Sequence, residues 1–393
     1  MVRQAHHDTN IEYMKLLYIA NIRFPTEKAH GLQIAKMCEA FTVAGAEVTL
    51  VMPTRKNYRL GTVDPLEYYG IKQRFTIRRL SVPDPYWLIN VASGLYIKVQ
   101  SALFIVRLMW FLRSISADTV IFTRDEYLLP ILQRYSRHVV WEAHTLPKNI
   151  KRYRRPFALC HRIVSITVFL KDELAKLGIN KEKILVAPDG VDVEQFNVKE
   201  SVSACREELG LPLDKKIVLY SGHLYNWKGV YTLAEASKML DENTLTVFVG
   251  GTAGDKARLV SFIKKNNLNN TLIVGYRPPR EVPLYLHAAD ILVLPNSAKK
   301  EISSHFTSPL KLFEYLASGK PIIASDLPSL REILNDSNAH FATPDDVEKL
   351  ASSINYALKD TKGSAHRAQQ ARQDAKKYSW LERAKSILQY INY

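Results

Sequence analysis

The segment SPLKLFEY, residues 308–315, places a cation and a carboxylate on one face of a predicted helix. Lys311 and Glu314 are three residues apart and therefore neighbours on a helix surface. A lysine in the first turn opposes the helix dipole, and lysine before glutamate is the weaker order for an ion pair, each by about a few tenths of a kcal/mol. An anion bound near Lys311, with hydroxyl groups donating to Glu314, explains the pair better than a salt bridge.

The same segment carries residues that are typical of a helix start. Ser308 is a good N-cap, Pro309 is a good first helical residue and Gly319 is a good stop. We therefore predict a helix from Pro309 to about Ser318, with Leu310 in its buried stripe. The free N–H groups at such a start favour anion binding.

A second cation follows a strand-like run in the segment LYSGHLYNWKG. Gly222 and His223 end the run, and Lys228 lies at the entrance to the next helical pattern, which suits a diphosphate. A surface lysine beside a turn glycine is the ordinary alternative. Further along, Tyr276 and Arg277 lie on a proline-braced loop that suits stacking or hydrogen bonding to a nucleobase.

Two residues in the first half also follow strand-like runs. Gly31 opens a helical pattern and permits close approach of a phosphate to the backbone, although a tight turn explains this glycine equally well. His144 ends the run HVVWEAH, and a polar side chain there points into the ligand crevice of a parallel sheet. Glu142 shares its face of the strand. A histidine that only caps the loop is the alternative.

Short β-rich runs alternate with helical patterns along the whole chain, which indicates a parallel α/β fold. The runs of the first half lie at residues 14–21, 46–53, 119–125, 138–144, 162–167 and 183–190. Those of the second half lie at residues 216–222, 244–251, 270–275, 290–296 and 321–326. A charged, proline-containing segment, 197–216, separates them. We predict two doubly wound, Rossmann-like domains facing a cleft, at residues 1–199 and 200–377.

The charge is strongly positive and concentrated in the first half. The 393 residues carry a formal net charge of +15, and residues 1–199 hold 29 Lys and Arg against 18 Asp and Glu. Five cations fall within residues 148–155, which indicates a solvated face or a contact with an anionic acceptor or lipid headgroups. Nucleic acid is an unlikely partner, since no aromatic stacking platform accompanies these cations.

Cysteine usage and hydropathy favour a cytoplasmic protein. The three cysteines are far apart and form no C-x-x-C pair, so neither disulfides nor zinc are predicted. The first 21 residues lack the hydrophobic run of a signal peptide. The apolar segment 86–112 contains Lys98 and Arg107, and the pieces between them are too short to span a bilayer. We therefore expect a cytoplasmic location, or a peripheral one at the inner face of the membrane.

In these motifs the chain resembles the retaining, GT-B-fold glycosyltransferases of family four, which use nucleotide-diphosphate sugars. The resemblance extends over nearly the whole chain. It rests on Gly31, His144, VAPDGVDVEQFN at 186–197, SGHLYNWKG, SPLKLFEYLASGKPIIASD and the closing YSWLERAKSILQYI at 378–391. It implies a GT-B architecture with the first domain on the acceptor side, the second binding the nucleotide sugar, and a final helix at 378–393 packing back towards the first.

The resemblance also implies residue roles. Gly31 would lie by the donor diphosphate, His144 would approach the transferred sugar, Lys228 would bind the diphosphate and Glu314 would hold the ribose. The remaining donor-site residues are Gly222, His223, Tyr276, Arg277, Ser308, Pro309, Leu310 and Lys311. Transfer would proceed with retention, and the leaving diphosphate would help to deprotonate the acceptor. No cofactor is implied, and no D-x-D or His/Asp cluster indicates a metal.

Two positions depart from the pattern of the family. His223 stands where an arginine is usual, and Phe306 stands where the first glutamate of the E-x7-E motif would fall. Glu301 or His305 are candidates to replace that carboxylate. A subgroup with the SPLKLFEY sequence resembles this chain more closely, so the loss of the glutamate does not indicate an inactive enzyme.

Three functions remain open at this point. The first is transfer of a hexosyl group to a glycan, a lipid-linked or another cell-envelope acceptor. The second is a nucleotide-sugar epimerase of the same fold. The third is a non-catalytic basic protein that binds a partner or an anionic membrane surface, which Phe306 and the positive first half would favour.

Overall fold

The computed structural model describes residues 14–89 and 91–392. Its strands form two sheets in which every pairing is parallel. The first sheet contains β1 (Lys15–Ile19), β2 (Glu47–Pro53), β3 (Thr76–Leu80), β4 (Val120–Thr123), β5 (Val139–Ala143), β6 (Arg162–Ser165) and β7 (Ile184–Val186). The second contains β8 (Lys216–Ser221), β9 (Thr244–Val249), β10 (Thr271–Gly275), β11 (Ile291–Leu294), β12 (Ile322–Ser325) and β13 (His340–Ala342).

The strand orders are those of two doubly wound domains. The first sheet runs β3-β2-β1-β4-β5-β6-β7 and the second β10-β9-β8-β11-β12-β13. The order reverses beside β1 in the first sheet and beside β8 in the second, and ligands bind at such switch points. The predicted fold class is therefore confirmed. The sequence prediction omitted β3, whose two arginines break the apolar pattern of an edge strand, and β13, which is three residues long.

Helices cover both faces of each sheet. In the first half they are α1 (Ala29–Val43), α2 (Pro65–Tyr68), α3 (Ser93–Leu112), α4 (Leu129–Leu132), α5 (Ile150–Leu159) and α6 (Val168–Lys176). In the second half they are α7 (Val202–Leu209), α8 (Val230–Ala236), α9 (Ala253–Lys265), α10 (Val282–Ala288), α11 (Glu301–Ser304), α12 (Leu310–Ser318), α13 (Pro328–Arg331), α14 (Val347–Lys359), α15 (Thr361–Ala375) and α16 (Trp380–Asn392). Because both faces are covered, most strands are buried throughout, as continuous apolar runs require.

The last helix crosses from the second domain to the first. Trp380, Ala384, Ile387 and Ile391 of α16 join the core on the α1 face of the first sheet. The carbonyl oxygens at the end of α16 also accept hydrogen bonds from the side chains of His161 and Arg162. This packing ties the end of the chain to the N-terminal domain.

The apolar segment at 86–112 contains one continuous helix, α3. The prediction that Lys98 and Arg107 leave only pieces too short to span a bilayer is wrong by length and composition, because both residues lie within one helix of 20 residues. With 20 mostly apolar residues, α3 is long and apolar enough to cross a membrane by length and composition. It nevertheless joins two strands of the same sheet and packs against that sheet.

Candidate active site between the two sheets

Three cavities adjoin one another at the strand ends, where the two domains meet. The largest, of about 650 Å³, lies mainly in the second domain and is called the donor cavity here. A central cavity of about 240 Å³ shares Lys228 and Pro309 with it. An acceptor-side cavity of about 570 Å³ in the first domain shares His144 and Arg124 with the central one. Ligands in neighbouring cavities would therefore contact some of the same side chains.

Most of the predicted donor-site residues line the donor cavity. They are Gly222, His223, Lys228, Tyr276, Arg277, Pro309, Leu310, Lys311 and Glu314. Ser308 and His144 line the central cavity instead. Gly31 lines none of the three, although Ala29 and Leu32 on either side of it reach the donor cavity. A Cβ on Gly31 would meet the Tyr69 hydroxyl at 2.2 Å, so packing alone requires glycine there.

The helix that carries Lys311 begins one residue later than predicted. α12 starts at Leu310, and Pro309 is the N-cap in extended conformation, with no side-chain cap. The prediction that Ser308 caps the helix is wrong, because its Oγ accepts a hydrogen bond from the backbone N–H of Asp189, at 3.2 Å. Gly319 ends the helix in the left-handed region, as predicted.

Lys311 is a buried cation without a hydrogen-bond partner among the described residues. Its Nζ lies 3.6 Å from the centre of the Tyr220 ring and close to Gly222. Burial lowers the pKa of Lys311 well below its ordinary value, and repulsion from Lys228 adds to this, while Glu314 opposes it. A bound anion would supply the missing counter-charge.

Lys228 approaches the same cavity from the loop after β8. It ends a short 3-10 helix, and Gly229 then turns the chain with a φ of 73°. A Cβ on Gly229 would lie 1.6 Å from the carbonyl oxygen of Pro295, so only glycine permits this close approach. The Lys228 ammonium lies 4.1 Å from the centre of the Trp227 ring. Burial lowers the pKa of Lys228 to about 7.

Glu314 and His223 complete the floor of the donor cavity. Burial raises the pKa of Glu314 to about 7, against the effect of Lys311. The ring of His223 stacks on Tyr225 with centres 4.9 Å apart and planes 3° from parallel, and burial lowers the pKa of His223. At neutral pH His223 is therefore a flat, uncharged surface, unlike the arginine it replaces.

Tyr276 and Arg277 form the far wall of the donor cavity. The hydroxyl of Tyr276 hydrogen bonds to that of Tyr68, which links the two domains across the cleft. The Arg277 Nε donates to the Tyr285 hydroxyl at 3.0 Å, and this bond fixes the side chain beside the cavity. The tyrosine ring and the guanidinium are thus available to a flat ligand group.

His144 is held by a buried network that the sequence did not reveal. Its Nε2 lies 3.3 Å from Oε2 of Glu142, in an electrostatic contact without hydrogen-bond alignment. Glu142 accepts hydrogen bonds from Tyr18, Gln33 and, at 2.6 Å, from Arg383 of α16. Burial and Arg124 lower the pKa of His144, which makes it a neutral imidazole at pH 7. Of these contacts, the sequence predicted only the one between His144 and Glu142, because alternate side chains of a strand share a face.

Phe306 lines the central cavity, as does a carboxylate that sequence reasoning missed. Among the described residues around this cavity, Asp189 is the one carboxylic acid. Asp189 is 4% exposed and its Oδ1 has no partner among the described residues. Burial raises the pKa of Asp189, against the effect of the Arg383 charge. The residues predicted to replace the missing glutamate lie elsewhere, because Glu301 is exposed and His305 packs on Phe169.

The described part of the chain contains no group of side chains that could bind a metal ion. No three His, Cys, Asp or Glu side chains come together there in a way that could hold a metal ion. Metal-independent activity remains a prediction.

Two family models match the two halves of the chain that form this site. The model described as "Glycosyltransferase Family 4" matches residues 31–195, and that described as "Glycosyl transferases group 1" matches residues 202–376. Among curated relatives, the amylovoran biosynthesis glycosyltransferase AmsK of Erwinia amylovora is 27% identical over 53% of this chain and 50% of its own. The D-inositol 3-phosphate glycosyltransferase of Xylanimonas cellulosilytica is 27% identical over 55% and 53%. The chain spans about half the length of the curated relatives it matches.

Solved structures share the fold over almost the entire chain. HepE of Anabaena, in complex with UDP and glucose, aligns with a TM-score of 0.74 and 17% identity over 97% of this chain and 100% of its own. Sucrose-phosphate synthase of Thermosynechococcus elongatus aligns with a TM-score of 0.75 and 16% identity over 96% and 98%. The chain shares the GT-B fold of these structures. Because the two family models together match most of its length, the chain belongs to the glycosyltransferase families that they describe.

Proposed function

We propose that this protein is a retaining glycosyltransferase that moves a hexosyl group from a nucleoside-diphosphate sugar to a hydroxyl of a glycan, lipid-linked or other cell-envelope acceptor. The observation that carries the proposal is the pairing of Lys228 and Lys311 in one cavity with Glu314. Both lysines lose solvation there, and Lys311 has no hydrogen-bond partner among the described residues. A diphosphate would neutralise both cations, and ribose hydroxyls would donate to Glu314.

The comparisons favour the same donor and acceptor classes. The HepE structure contains UDP and glucose, and AmsK is named for the biosynthesis of amylovoran. These properties belong to the relatives, and we extend them to this chain as part of the proposal.

The chemistry requires no protein nucleophile. The bond from the anomeric carbon to the diphosphate oxygen breaks while the acceptor oxygen bonds to the same face of that carbon. The acceptor proton passes to the departing diphosphate. Lys228 and Lys311 would counter the charge that develops on this leaving group, and such stabilisation is a large contribution in a site closed to water. The neutral His144 lies in the central cavity, where the transferred sugar would sit.

A thermal-shift screen over nucleotide sugars, followed by transfer assays with the best donor, tests the proposal, because a bound donor raises the unfolding temperature by mass action. We expect Lys228→Ala and Glu314→Ala to abolish both the shift and transfer. The exposed Lys362→Ala is the matched control and should retain both. Full activity in both site variants would overturn the site assignment. The anomeric configuration of the product, measured by nuclear magnetic resonance, shows whether transfer proceeds with retention.

The rival functions give different results in the same experiment. An epimerase would convert the donor to an isomer without any acceptor. A non-catalytic protein would bind no nucleotide in calorimetry.

A further inference from the structure

One face of α3 is apolar and exposed to solvent. Only 22% of the residues in the most apolar stretch of α3 are buried. Tyr96, Phe104, Leu108 and Leu112 face inward and are buried. The opposite face carries Leu95, Ala102, Val106 and Trp110, all exposed. Their spacing of seven, four and four residues places them in one line along the helix, which we call the α3 stripe.

The α3 stripe forms an extended apolar surface. Val106 is 58% exposed and Trp110 is 63% exposed. Trp87 and Val91, which precede the helix in sequence, are 68% and 77% exposed. Scattered apolar side chains are ordinary on a protein surface, but an aligned set of this size marks a contact with another apolar phase.

The segment of the chain that carries the α3 stripe has only positive charges. Residues 85–117 contain no Asp or Glu, while Lys98, Arg107 and Arg113 lie within them. The Arg113 guanidinium lies over the ring of Trp110, 5.0 Å from its centre. A cation beside an exposed tryptophan is typical of a segment that lies at the boundary between headgroups and acyl chains.

A second group of cations lies on the same face of the first sheet. α3 and α5 pack into one hydrophobic core on this face. The exposed cations of α5 are Lys151, Arg152, Arg154 and Arg155. Within the described ranges none of the four forms a salt bridge, and α5 itself contains no acidic residue. These unpaired charges complement an anionic lipid surface, which attracts each nearby Lys or Arg.

The connections of α3 favour a helix that lies on a membrane over one that crosses it. α3 links β3 to β4, and both strands belong to the same sheet. Its two ends are therefore held on the same side of any bilayer, and crossing would remove the side chains of Phe104, Leu108 and Leu112 from their core.

The inner edge of α3 also walls the acceptor-side cavity. The carbonyl oxygen of Gln100 accepts a hydrogen bond from Arg55 at 2.9 Å, and Ser101 accepts one from Asn21. Tyr86, just before α3, lines the same cavity.

We propose that the N-terminal domain docks on an anionic bilayer, with the α3 stripe in the interface and the cations of α5 over the headgroups. The inference goes beyond the proposed function and does not depend on it, since docking requires neither donor nor transfer.

Co-sedimentation of the full chain with phosphatidylglycerol/phosphatidylcholine vesicles tests the proposal. We expect Val106→Glu/Trp110→Glu to lower the bound fraction by at least about tenfold, because two charges would enter the apolar interface. Val43→Glu is the matched control and should bind like wild type, since Val43 is 53% exposed on α1, at the other face of the same sheet. Brominated lipids should quench fluorescence in wild type more than in Trp110→Phe.

The charge contribution is tested separately. Lys151→Glu/Arg152→Glu should weaken binding to anionic vesicles by about tenfold, whereas Lys264→Glu/Lys265→Glu, exposed in the second domain, should change it less than about twofold. Equal binding of wild type to pure phosphatidylcholine would overturn the proposal, as would binding unaffected by Val106→Glu/Trp110→Glu. If the protein does not bind vesicles but forms a dimer that Val106→Glu dissociates, the α3 stripe is instead an interface with a second copy of the chain.

Discussion

The Arg383 Nη2 lies 2.6 Å from Oε1 of Glu142, so a residue of the last helix forms a salt bridge with the strand that leads to His144. Both side chains are buried. Arg383 also donates to the carbonyl oxygens of Ala187 and Pro188. Although burial acts to raise it, the Arg383 guanidinium holds the pKa of Glu142 well below its ordinary value. The C-terminal helix thereby keeps a charged carboxylate beside the imidazole.

Removing Arg383 should destabilise the protein strongly. We expect Arg383→Met to lower the free energy of unfolding by roughly 3–5 kcal/mol, because Glu142 is left charged and buried without its partner. Urea denaturation measures the change. The double variant Arg383→Met/Glu142→Gln should recover part of the loss. Lys385→Met is the control on the same helix, since its pair with Glu382 is exposed and should contribute less than about 1 kcal/mol.

Asp189 should replace the carboxylate that is missing at Phe306. We expect Asp189→Asn to lower kcat on the order of 100-fold, because the central cavity loses its one described carboxylate, while nucleotide affinity changes less than about twofold. Steady-state transfer kinetics and calorimetry with the free nucleotide separate the two effects. Asp192→Asn changes a carboxylate three residues away that lies outside the central cavity and should leave kcat unaltered. An unchanged kcat in Asp189→Asn would exclude the role.

Nucleotide affinity should have a maximum near pH 7. Phosphate binding raises the pKa of Lys228 from about 7, so affinity should fall as pH rises above 7, by up to about tenfold per unit. Below pH 7 Glu314, with a pKa of about 7, becomes protonated and loses capacity to accept ribose hydrogen bonds. Calorimetry over a pH series, with the nucleoside diphosphate selected by the donor screen, measures both limbs. Lys228→Met should flatten only the alkaline limb and Glu314→Gln only the acidic one.

Gly31 should tolerate no side chain. A Cβ there would lie 2.2 Å from the Tyr69 hydroxyl and 2.5 Å from Cγ2 of Thr26, so Gly31→Ala should cost roughly 1–3 kcal/mol of stability. Tyr69→Phe in the same chain should recover part of the cost, because the nearer atom is removed. Gly254→Ala, also in a first helical turn, meets nothing closer than 3.7 Å and should be neutral or stabilising. Thermal unfolding of the wild type and of these three variants measures the differences in stability.

Local patterns in the sequence were sufficient for the fold and for much of the donor cavity. Continuous apolar runs predicted eleven of the strands, and the spacing of Lys311 and Glu314 placed both on the surface of one helix that faces the cavity. These features depend on the periods of strands and helices and on residues close in sequence. The same reasoning predicted the left-handed stop at Gly319.

Only the tertiary structure decided which distant residues share a site. The Oγ of Ser308 accepts a hydrogen bond from the backbone N–H of Asp189, 119 positions away. Ser308 therefore does not cap its own helix. Arg383 reaches Glu142 across 241 positions. The same holds for α3. Its length and apolar character can be read from the sequence, but which side chains face inward and which outward depends on the sheet against which it packs. Periodicity describes one element at a time, whereas burial, pKa shifts and unpartnered charges arise from the packing of several elements together.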